Sequence, residues 1–144
     1  MKTRLYFDNC CFNRIYDEPS SLLVQLEAKA IAYIQNQILL GKIELVWSFV
    51  LDQENENNPH EKRRTSIEAW KALATVNISA EAVIYQKLVE VLKAGIKGND
   101  ALHVACAIQA QSRYFLTTDK KLLKKQVEGI IIMNPMAYLL EEGE

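Results

Sequence analysis

The sequence predicts an α/β fold with a central, mostly parallel, twisted sheet of four to five strands and helices on both faces. Two observations support this prediction. Apolar segments of strand length alternate with amphipathic segments of helix length along the whole chain, which is the order of elements in parallel α/β folds. Several strand segments are apolar at nearly every position, as expected for strands that helices cover on both faces. A length of 144 residues, without a visible linker or repeat, suits one domain over residues 1–144.

Five segments fit β-strands because they are short, apolar and bounded by turn-forming or polar residues. The third is the shortest and gives the weakest strand signal. The predicted strands are residues 4–7, 43–47, 76–78, 114–117 and 130–133.

Capping and turn residues locate the helices of the first half of the chain. The first long helix follows Pro19 and ends at Gly41, and the next follows Ser48 and extends to about residue 57. Asn58 and Pro59 fit the N-cap and the first position of a third helix, which extends to about residue 74.

In the second half of the chain, Ser79 fits the N-cap of one helix and Asn99 fits the N-cap of the next. In the helix after Asn99, apolar residues recur at positions i, i+3, i+4 and i+7, as they do on a buried helix face. Residues 119–126 are expected to form a short lysine-rich helix, and Asn134 with Pro135 begins a C-terminal helix.

Composition excludes several classes of protein. Hydrophobic residues make up 49% of the chain and charged residues 24%, and the formal net charge is -1, which argues against disorder and against a broad non-specific nucleic-acid surface. Three cysteines without a CxxC spacing and two histidines argue against a disulfide framework and a zinc site. No apolar run approaches the about 20 residues that cross a bilayer, and Asp8 interrupts the N-terminus before a signal-peptide core could form. We therefore expect a soluble cytoplasmic protein with no membrane partner.

Four acidic residues stand near the expected carboxyl edge of the sheet. Asp8 ends the first strand, and Asp119 follows the fourth. Asp100 opens a helix, and Glu54 lies about two turns into the helix after the second strand. Ligands bind beyond the carboxyl ends of parallel strands, and carboxylates are the ligands that Mg²⁺ and Mn²⁺ prefer. Each acid alone also fits a structural role in a turn, a helix start or a solvated acidic face, so only their joint position favours a metal site.

The four acids lie in four stretches of sequence, YFDNCCFNR, SFVLDQEN, NDALHVACA and YFLTTDKKL. The stretches lie between residues 6 and 122. The last two are the most distinctive, with Asp-Ala-Leu opening an alanine-rich helix and an apolar strand ending in Thr-x-Asp. In content and order they resemble the four acidic blocks of PIN-domain proteins, in particular the toxin-type, VapC-like ribonucleases. The resemblance implies a single PIN-like domain over residues 1–144.

The same resemblance implies a metal-dependent endoribonuclease that uses Mg²⁺ or Mn²⁺ to hydrolyse RNA phosphodiester bonds and leaves a 5′-phosphate and a 3′-hydroxyl. A bound divalent ion would lower the pKa of a water molecule and orient it for in-line attack. The resemblance further implies the toxin of a toxin–antitoxin pair, with RNA as substrate, a cognate antitoxin as protein partner, and a homodimer.

Carried over position by position, the resemblance assigns catalysis and metal binding to the four acids, and hydrogen bonds to those acids to two neighbouring polar residues. The acids are Asp8, Glu54, Asp100 and Asp119, and the hydrogen-bonding residues are Thr117 and Asn9. The family usually has Thr or Ser where this chain has Asn9.

Two positions near these acids have competing interpretations. Asp52 would replace Glu54 if the helix were rotated slightly, and Glu54 is preferred because it lies one turn after Val50, an apolar residue expected to face the sheet. His103 lies one turn after Asp100 and could point toward the site, but a packing or hydrogen-bonding role is the favoured interpretation.

Three basic residues flank the acidic positions in sequence and are the candidates for binding substrate phosphate. They are Arg14, Lys97 and Lys120. The other basic residues of the run at 120–125 are expected on a solvated helix face.

The main alternative function is a non-catalytic PIN-like module that binds RNA or a protein partner. The presence of all four acids disfavours it, because a module that does not cleave has no need of them. A phosphatase with an aspartyl nucleophile is disfavoured because Cys10 stands two residues after Asp8, where a second aspartate would be required. Neither GxxxxGK nor GxGxxG occurs, so the sequence does not support a nucleotide-binding loop.

Overall fold

A five-stranded sheet forms the centre of the computed structural model, which describes residues 2–142. Its strands are β1 (Thr3–Phe7), β2 (Ile43–Ser48), β3 (Val76–Ile78), β4 (Tyr114–Leu116) and β5 (Ile131–Met133). They lie side by side in the order β3-β2-β1-β4-β5, and each neighbouring pair is parallel. The predicted α/β fold with a mostly parallel sheet is therefore confirmed.

Helices connect the strands and flank the sheet. The α-helices are α1 (Asn9–Arg14), α2 (Leu22–Leu39), α3 (Phe49–Glu56), α4 (Glu61–Glu68), α5 (Ile84–Lys93), α6 (Gly98–Gln109) and α7 (Pro135–Glu142). Two further segments, Ala69–Leu73 and Leu122–Lys124, are 3₁₀ helices. The helix α2 packs against α7, and α5 packs against α6. Within residues 2–142, no helix is both long and apolar enough to cross a membrane.

The order of the strands places a topological switch point between β1 and β4. From β1 the chain moves to β2 and then β3 on one side, and it afterwards crosses to β4 and β5 on the other side. Right-handed crossovers in opposite directions place their helices on opposite faces of the sheet. Ligands of open α/β sheets bind at such a point, beyond the carboxyl ends of the two strands.

Alternating side chains of β1 show the two faces directly. The ring of Phe7 lies 5.3 Å from that of Phe12 in α1, in an edge-to-face arrangement. The ring of Tyr6 stacks on Phe115 of β4 at 5.4 Å and lies 5.6 Å from the ring of His103 in α6. Thus α1 covers one face and α6 covers the other. The last three residues of β1 and all of β4 are buried, which agrees with their apolar sequences.

Two of the predicted helices begin at serine caps. The Ser21 hydroxyl accepts a hydrogen bond from the Val24 N–H at the start of α2, and Ser48 accepts one from Leu51 at the start of α3. Gly41 follows α2 with φ of +73°, a conformation that glycine adopts without the steric cost of a side chain. The predicted helices after Pro19 and after Ser48 are therefore confirmed.

The predicted start of the third helix at Asn58 and Pro59 is wrong. The Asn58 side-chain oxygen accepts a hydrogen bond from the His60 N–H at 3.1 Å, which closes a local turn, and α4 begins at Glu61. The same segment was predicted as one helix to about residue 74, but it changes to a 3₁₀ helix at Ala69.

Two other predicted helix starts and one predicted helix are also wrong. Ser79 donates to Glu81 in a surface loop, and α5 begins only at Ile84. Asn99 lies inside α6, whose cap position is Lys97. Residues 119–126 contain one 3₁₀ turn, Leu122–Lys124, instead of the predicted helix.

The helix α1 directly follows the first strand and was not predicted from the sequence. It has six residues and contains the adjacent cysteines, a segment too short for a clear helical period. Its importance lies in its position, since it begins immediately after Asp8 at the carboxyl end of β1.

Candidate functional site

Asp8 lies at the switch point and is fixed there by contacts with the end of β4. Its backbone N–H donates to the carbonyl oxygen of Leu116 at 2.9 Å. Its carboxylate accepts hydrogen bonds from the Thr117 hydroxyl at 2.8 Å and from the Cys10 thiol at 3.4 Å. The Thr117 oxygen in turn accepts a hydrogen bond from the Asp119 N–H at 3.1 Å. Thr117 therefore connects the two acid-bearing segments that follow β1 and β4.

Asp8 is only 6% exposed. This burial, together with the negative charge of the Cys10 sulfur when that thiol is ionised, raises the pKa of Asp8 from 3.8 to about 8. Burial raises the pKa of a carboxyl because the charged form loses its hydration. A cation at this position would favour the ionised form, so the site is electrostatically suited to a positively charged ligand.

Glu54 points from α3 toward Asp8 and meets α6 there. One of its carboxylate oxygens accepts a hydrogen bond from His103 Nε2 at 2.7 Å, and the other accepts one from Asn99 Nδ2 at 3.0 Å. Burial acts to raise the pKa of Glu54, but the hydrogen bonds from His103 and Asn99 outweigh it, so the pKa is lowered. Ligand atoms of Asp8, Glu54 and His103 lie within 4.8 Å of one another, which is compatible with a metal site.

Asp52, the competing acid, lies on the other side of α3. Its carboxylate accepts a hydrogen bond from the Trp47 indole N–H at 2.8 Å and pairs with Lys71 at 3.1 Å. Residues two apart on a helix are separated by about 200°, so Asp52 and Glu54 cannot face the same site. The structure brings Glu54, and not Asp52, beside Asp8.

Asp100 and Asp119 lie at the outer side of the cluster formed by Asp8, Glu54 and His103. Asp100 is half-buried, and both its burial and the charge of Asp119 raise its pKa. The charges of Asp8 and Glu54 are also coupled to that of Asp100. Asp119 is exposed, and its carboxylate accepts a hydrogen bond from the Lys121 N–H at 2.9 Å. Asp100 is therefore close enough to interact electrostatically with each of the other three acids, although neither Asp100 nor Asp119 shares the tight grouping of ligand atoms.

The predicted accessory residues have different surroundings. Thr117 makes the expected hydrogen bond to an acid, as described above. The Asn9 carbonyl oxygen accepts a bond from Asn13, and the Asn9 side-chain oxygen is buried with no hydrogen-bonding partner in residues 2–142. The predicted hydrogen bond from Asn9 to an acid is therefore wrong for residues 2–142, because Asn9 bonds to Asn13 within α1 instead.

Arg14, predicted to bind substrate phosphate, is already engaged by protein groups. Its guanidinium pairs with Glu27 at 3.2 Å and with Asp17 at 3.2 Å, and it donates to the Thr118 hydroxyl at 3.1 Å. Glu27 is 3% exposed, so releasing Arg14 would leave a buried carboxylate without its countercharge, which is strongly unfavourable. The predicted phosphate role of Arg14 conflicts with this arrangement.

The two predicted lysines lie in open positions near the acids. Lys97 is exposed and lines a cleft of about 490 Å³ that also contains Asp100. Lys121, Lys124 and Lys125 line the same cleft, which we call the lysine cleft. Lys120 is exposed and directly follows Asp119. The run at 120–125 thus contributes lysines to a cleft beside the acids, and not only to a solvated helix face.

The contribution of Tyr6 was not predicted from the sequence, and that of His103 is larger than predicted. His103 has the hydrogen-bonding role favoured from the sequence, but its partners are Glu54 in the site and Tyr6 in the core. Two sequence signals could have indicated these residues. Tyr6 is the polar-tipped residue two positions before Asp8 in an apolar strand, and His103 lies one turn after Asp100.

The strand order, the switch point and the buried acids together define an α/β protein with a PIN-like fold. No family model matches the sequence, and no curated protein matches it. Among solved structures, the chain is similar to one from the crystal structure of VapBC2 from Rickettsia felis bound to a DNA fragment from their promoter. The TM-score is 0.55 at 17% sequence identity, and the alignment covers 92% of this chain and 98% of that chain. At this low sequence identity, the similarity shows a shared fold and nothing about activity.

The buried position of Asp8 predicts a pH-dependent stability in the absence of metal. The folded protein retains the Asp8 proton up to a pH of about 8, whereas the unfolded chain releases it near the ordinary pKa of 3.8. Wherever the folded state binds more protons, the free energy of unfolding falls as pH rises. We expect wild-type stability in EDTA to fall relative to that of D8N between pH 4 and pH 8, as measured by urea unfolding.

The difference between the two proteins should change between pH 4 and pH 8 and should level off outside this range. The matched control is E18Q, which removes an exposed carboxylate and should keep the wild-type pH dependence. A constant difference between wild type and D8N over the whole range would contradict the raised pKa of Asp8.

Proposed function

We propose that the protein is a metal-dependent endoribonuclease of the PIN-domain family that hydrolyses RNA phosphodiester bonds. The observation that carries the proposal is the convergence of Asp8 and Glu54, with Asp100 and Asp119 beside them, at the switch point of the sheet. Oxygen ligands of this kind suit Mg²⁺ or Mn²⁺. The raised pKa of Asp8 supports the fit, since a buried carboxylate without a cation is electrostatically unfavourable.

The roles of the acids follow from their surroundings. Asp8 and Glu54 would hold the metal from the interior side, and Asp100 and Asp119 would complete the site from the open side. When bound, the ion would lower the pKa of a water molecule and stabilise the charge that develops on the leaving oxygen. Thr117 orients Asp8 through its hydroxyl, and Asn99 orients Glu54 through its amide. Holding the acids in fixed positions is the main contribution of the protein to such a reaction.

The lysine cleft supports a path for the RNA backbone next to the acids. It contains Asp100 together with four lysines, Lys97, Lys121, Lys124 and Lys125. Within residues 2–142, none of these four pairs with a carboxylate within 4.0 Å. Lysine side chains without a protein partner are available to neutralise phosphates. We assign Lys97 and Lys120 to phosphate binding and leave Arg14 out, because Glu27 engages it.

The proposal includes a protein partner and a cellular setting. The similar solved structure is that of VapBC2 bound to a DNA fragment from their promoter. By analogy, we propose that this chain acts in the cytoplasm as a toxin, with a cognate antitoxin, and that it forms a homodimer.

The central test is cleavage of RNA by the purified protein. A pool of structured and single-stranded RNAs is incubated with Mg²⁺, with Mn²⁺, or with EDTA, and the products are resolved by sequencing gels. We expect internal cleavage with either metal and none with EDTA, because the reaction needs an activated water. Cleavage that survives EDTA would contradict the metal mechanism. A well-folded protein that binds RNA but does not cleave it with either metal would instead be the non-catalytic module.

A pair of variants separates a ligand of the site from a neighbouring acid of the same helix. E54Q should lower the rate of RNA cleavage by at least about 100-fold, since Gln lacks the charge that a metal or water ligand supplies. D52N is the matched control and should change the rate by less than about threefold. Its loss of the Lys71 ion pair should cost at most about 1 kcal/mol of stability. A larger effect of D52N than of E54Q on the cleavage rate would refute the assignment.

The lysines of the cleft lead us to predict how RNA binding depends on salt, a property that can be measured without catalysis. In EDTA, the double variant K97Q/K121Q should bind single-stranded RNA more weakly in fluorescence anisotropy. The logarithm of the RNA association constant falls as the logarithm of the salt concentration rises, and the slope of this line should become less steep by about 1.4. Each phosphate contact on a single strand contributes about 0.7 to that slope.

The control for this measurement is K2Q/K42Q, which removes two exposed lysines that precede β1 and β2 at the opposite edge of the sheet. It should retain the wild-type slope. Equal slopes for the two double variants would mean that RNA does not follow the lysine cleft.

A further inference from the structure

A chain of hydrogen bonds runs from the core of the protein to Glu54. The Ser48 hydroxyl lies 2.5 Å from the Tyr6 hydroxyl, which lies 2.6 Å from His103 Nδ1. On the other side of the ring, His103 Nε2 lies 2.7 Å from the Glu54 carboxylate. Ser48, Tyr6 and His103 are all fully buried. Four side chains from β1, β2, α3 and α6 are thus connected in series.

The donors and acceptors of the four groups indicate the direction of these bonds. The Glu54 carboxylate accepts a hydrogen bond from Asn99, and a carboxylate offers only acceptor atoms to His103. His103 Nε2 must therefore carry the proton that it shares with Glu54. A neutral ring with its proton on Nε2 has Nδ1 as an acceptor, and the Tyr6 hydroxyl, which burial keeps protonated, donates to it. At the far end, the Leu51 N–H donates to the Ser48 oxygen at 3.3 Å.

We propose that His103 is a positioning residue for Glu54, and that Tyr6 holds the imidazole in the tautomer with hydrogen on Nε2. This inference rests on the proposed function, because Glu54 belongs to the same site. The glutamate side chain has several rotatable bonds, and confining it to one rotamer has an entropic cost. His103 is confined by burial and by Tyr6 before any ligand binds, so its hydrogen bond holds Glu54 toward Asp8 in advance.

The geometry leaves Glu54 free to bind a metal at the same time. Each carboxylate oxygen accepts one hydrogen bond, from His103 or from Asn99. Each oxygen has two lone pairs, so one on each remains for another ligand. The competing interpretation is that His103 is itself a metal ligand through Nε2. It would require loss of the bond to Glu54, and the experiments below distinguish the two roles.

The first experiment uses the metal-free protein and does not depend on catalysis. The nitrogen chemical shifts of the imidazoles are measured by NMR on protein with labelled histidine. The chain has two histidines, so the variant H60Q assigns the signals of His103. We expect a proton on Nε2 in wild type and a changed Nδ1 shift in Y6F. A neutral ring with its proton on Nδ1 would overturn the proposal, whatever the protein does to RNA.

The second experiment measures the effect on the reaction. H103L removes the donor, and we expect kcat for RNA cleavage to fall about 10- to 100-fold, the range found when a partner that orients a metal ligand is removed. KM should change little, since His103 is buried and does not reach the substrate. H103Q can still donate to Glu54, and it should recover most of the lost rate. H103L activity equal to wild type would overturn the proposal.

A double-mutant cycle shows whether His103 acts through Glu54. In the E54Q background, H103L should cause little further loss of kcat, because the carboxylate that His103 positions is already absent. An additional loss in that background would mean that His103 acts on the metal or substrate directly, which contradicts a positioning role.

Two further measurements keep the proposal testable when catalysis or folding fails. If H103L does not melt cooperatively in circular dichroism, the comparison of H103Q with wild type takes its place, and a rate for H103Q as low as that for E54Q would overturn the proposal. If the wild type cleaves no RNA, the proposed function fails, and Mn²⁺ binding measured by electron paramagnetic resonance replaces the rate. H103L should then bind Mn²⁺ more weakly than H103Q, and equal affinities would overturn the proposal.

Discussion

The pairing of β1 with β4 is the constraint on which the site depends. It places the end of β1 against the end of β4, where the Asp8 N–H bonds to Leu116 and the Asp8 carboxylate bonds to Thr117. A carboxylate in such a buried place is unfavourable without a countercharge. The fold retains it because the apolar strand before it is anchored on both sides by parallel neighbours. The stability of the sheet therefore holds Asp8 in a position that its own solvation would not favour.

The other parts of the site reach Asp8 through the crossovers of the sheet. The helix α3 follows β2 directly, so Glu54 projects over the edge at which β1 ends. The helix α6 lies on the opposite face of the sheet, and its residues His103 and Asn99 donate hydrogen bonds to the Glu54 carboxylate. Hydrogen-bonded side chains in a buried network strengthen one another when every member is satisfied. The series from Ser48 to Glu54 is such a network, and it connects the core to the site.

Local patterns were sufficient for much of the fold. The apolar strands and the helices after Pro19 and Ser48 depend on neighbouring residues, so the sequence alone located them. The wrong helix starts arose where a capping residue had another local partner. Asn58 closes a turn with His60, and Ser79 bonds to Glu81. Propensity cannot decide between two local hydrogen bonds of similar strength.

The candidate site was predictable as far as helix phase and strand order allow. The position of Glu54 one turn after buried Val50 placed it toward the sheet, and the geometry of α3 agrees. The partners of His103 and Arg14 could not be predicted in the same way. His103 meets Tyr6, 97 residues earlier in the chain, and Arg14 meets Glu27 on a different helix. Such pairs depend on tertiary packing, which no local pattern encodes.

The distribution of charge reconciles a near-neutral chain with the proposed RNA substrate. The net charge of -1 argued against a broad nucleic-acid surface. At physiological salt, however, an exposed charge acts over only about 8 Å, so a substrate responds to nearby charges rather than to the total. The acids repel phosphate, while the lysines of the adjacent cleft, among them Lys97 and Lys121, attract it. A strand held in the lysine cleft would thus be drawn to the border of the acidic site, and a bound cation would remove the repulsion that keeps it from entering. Binding of the cation and entry of the scissile phosphate are therefore expected to be coupled.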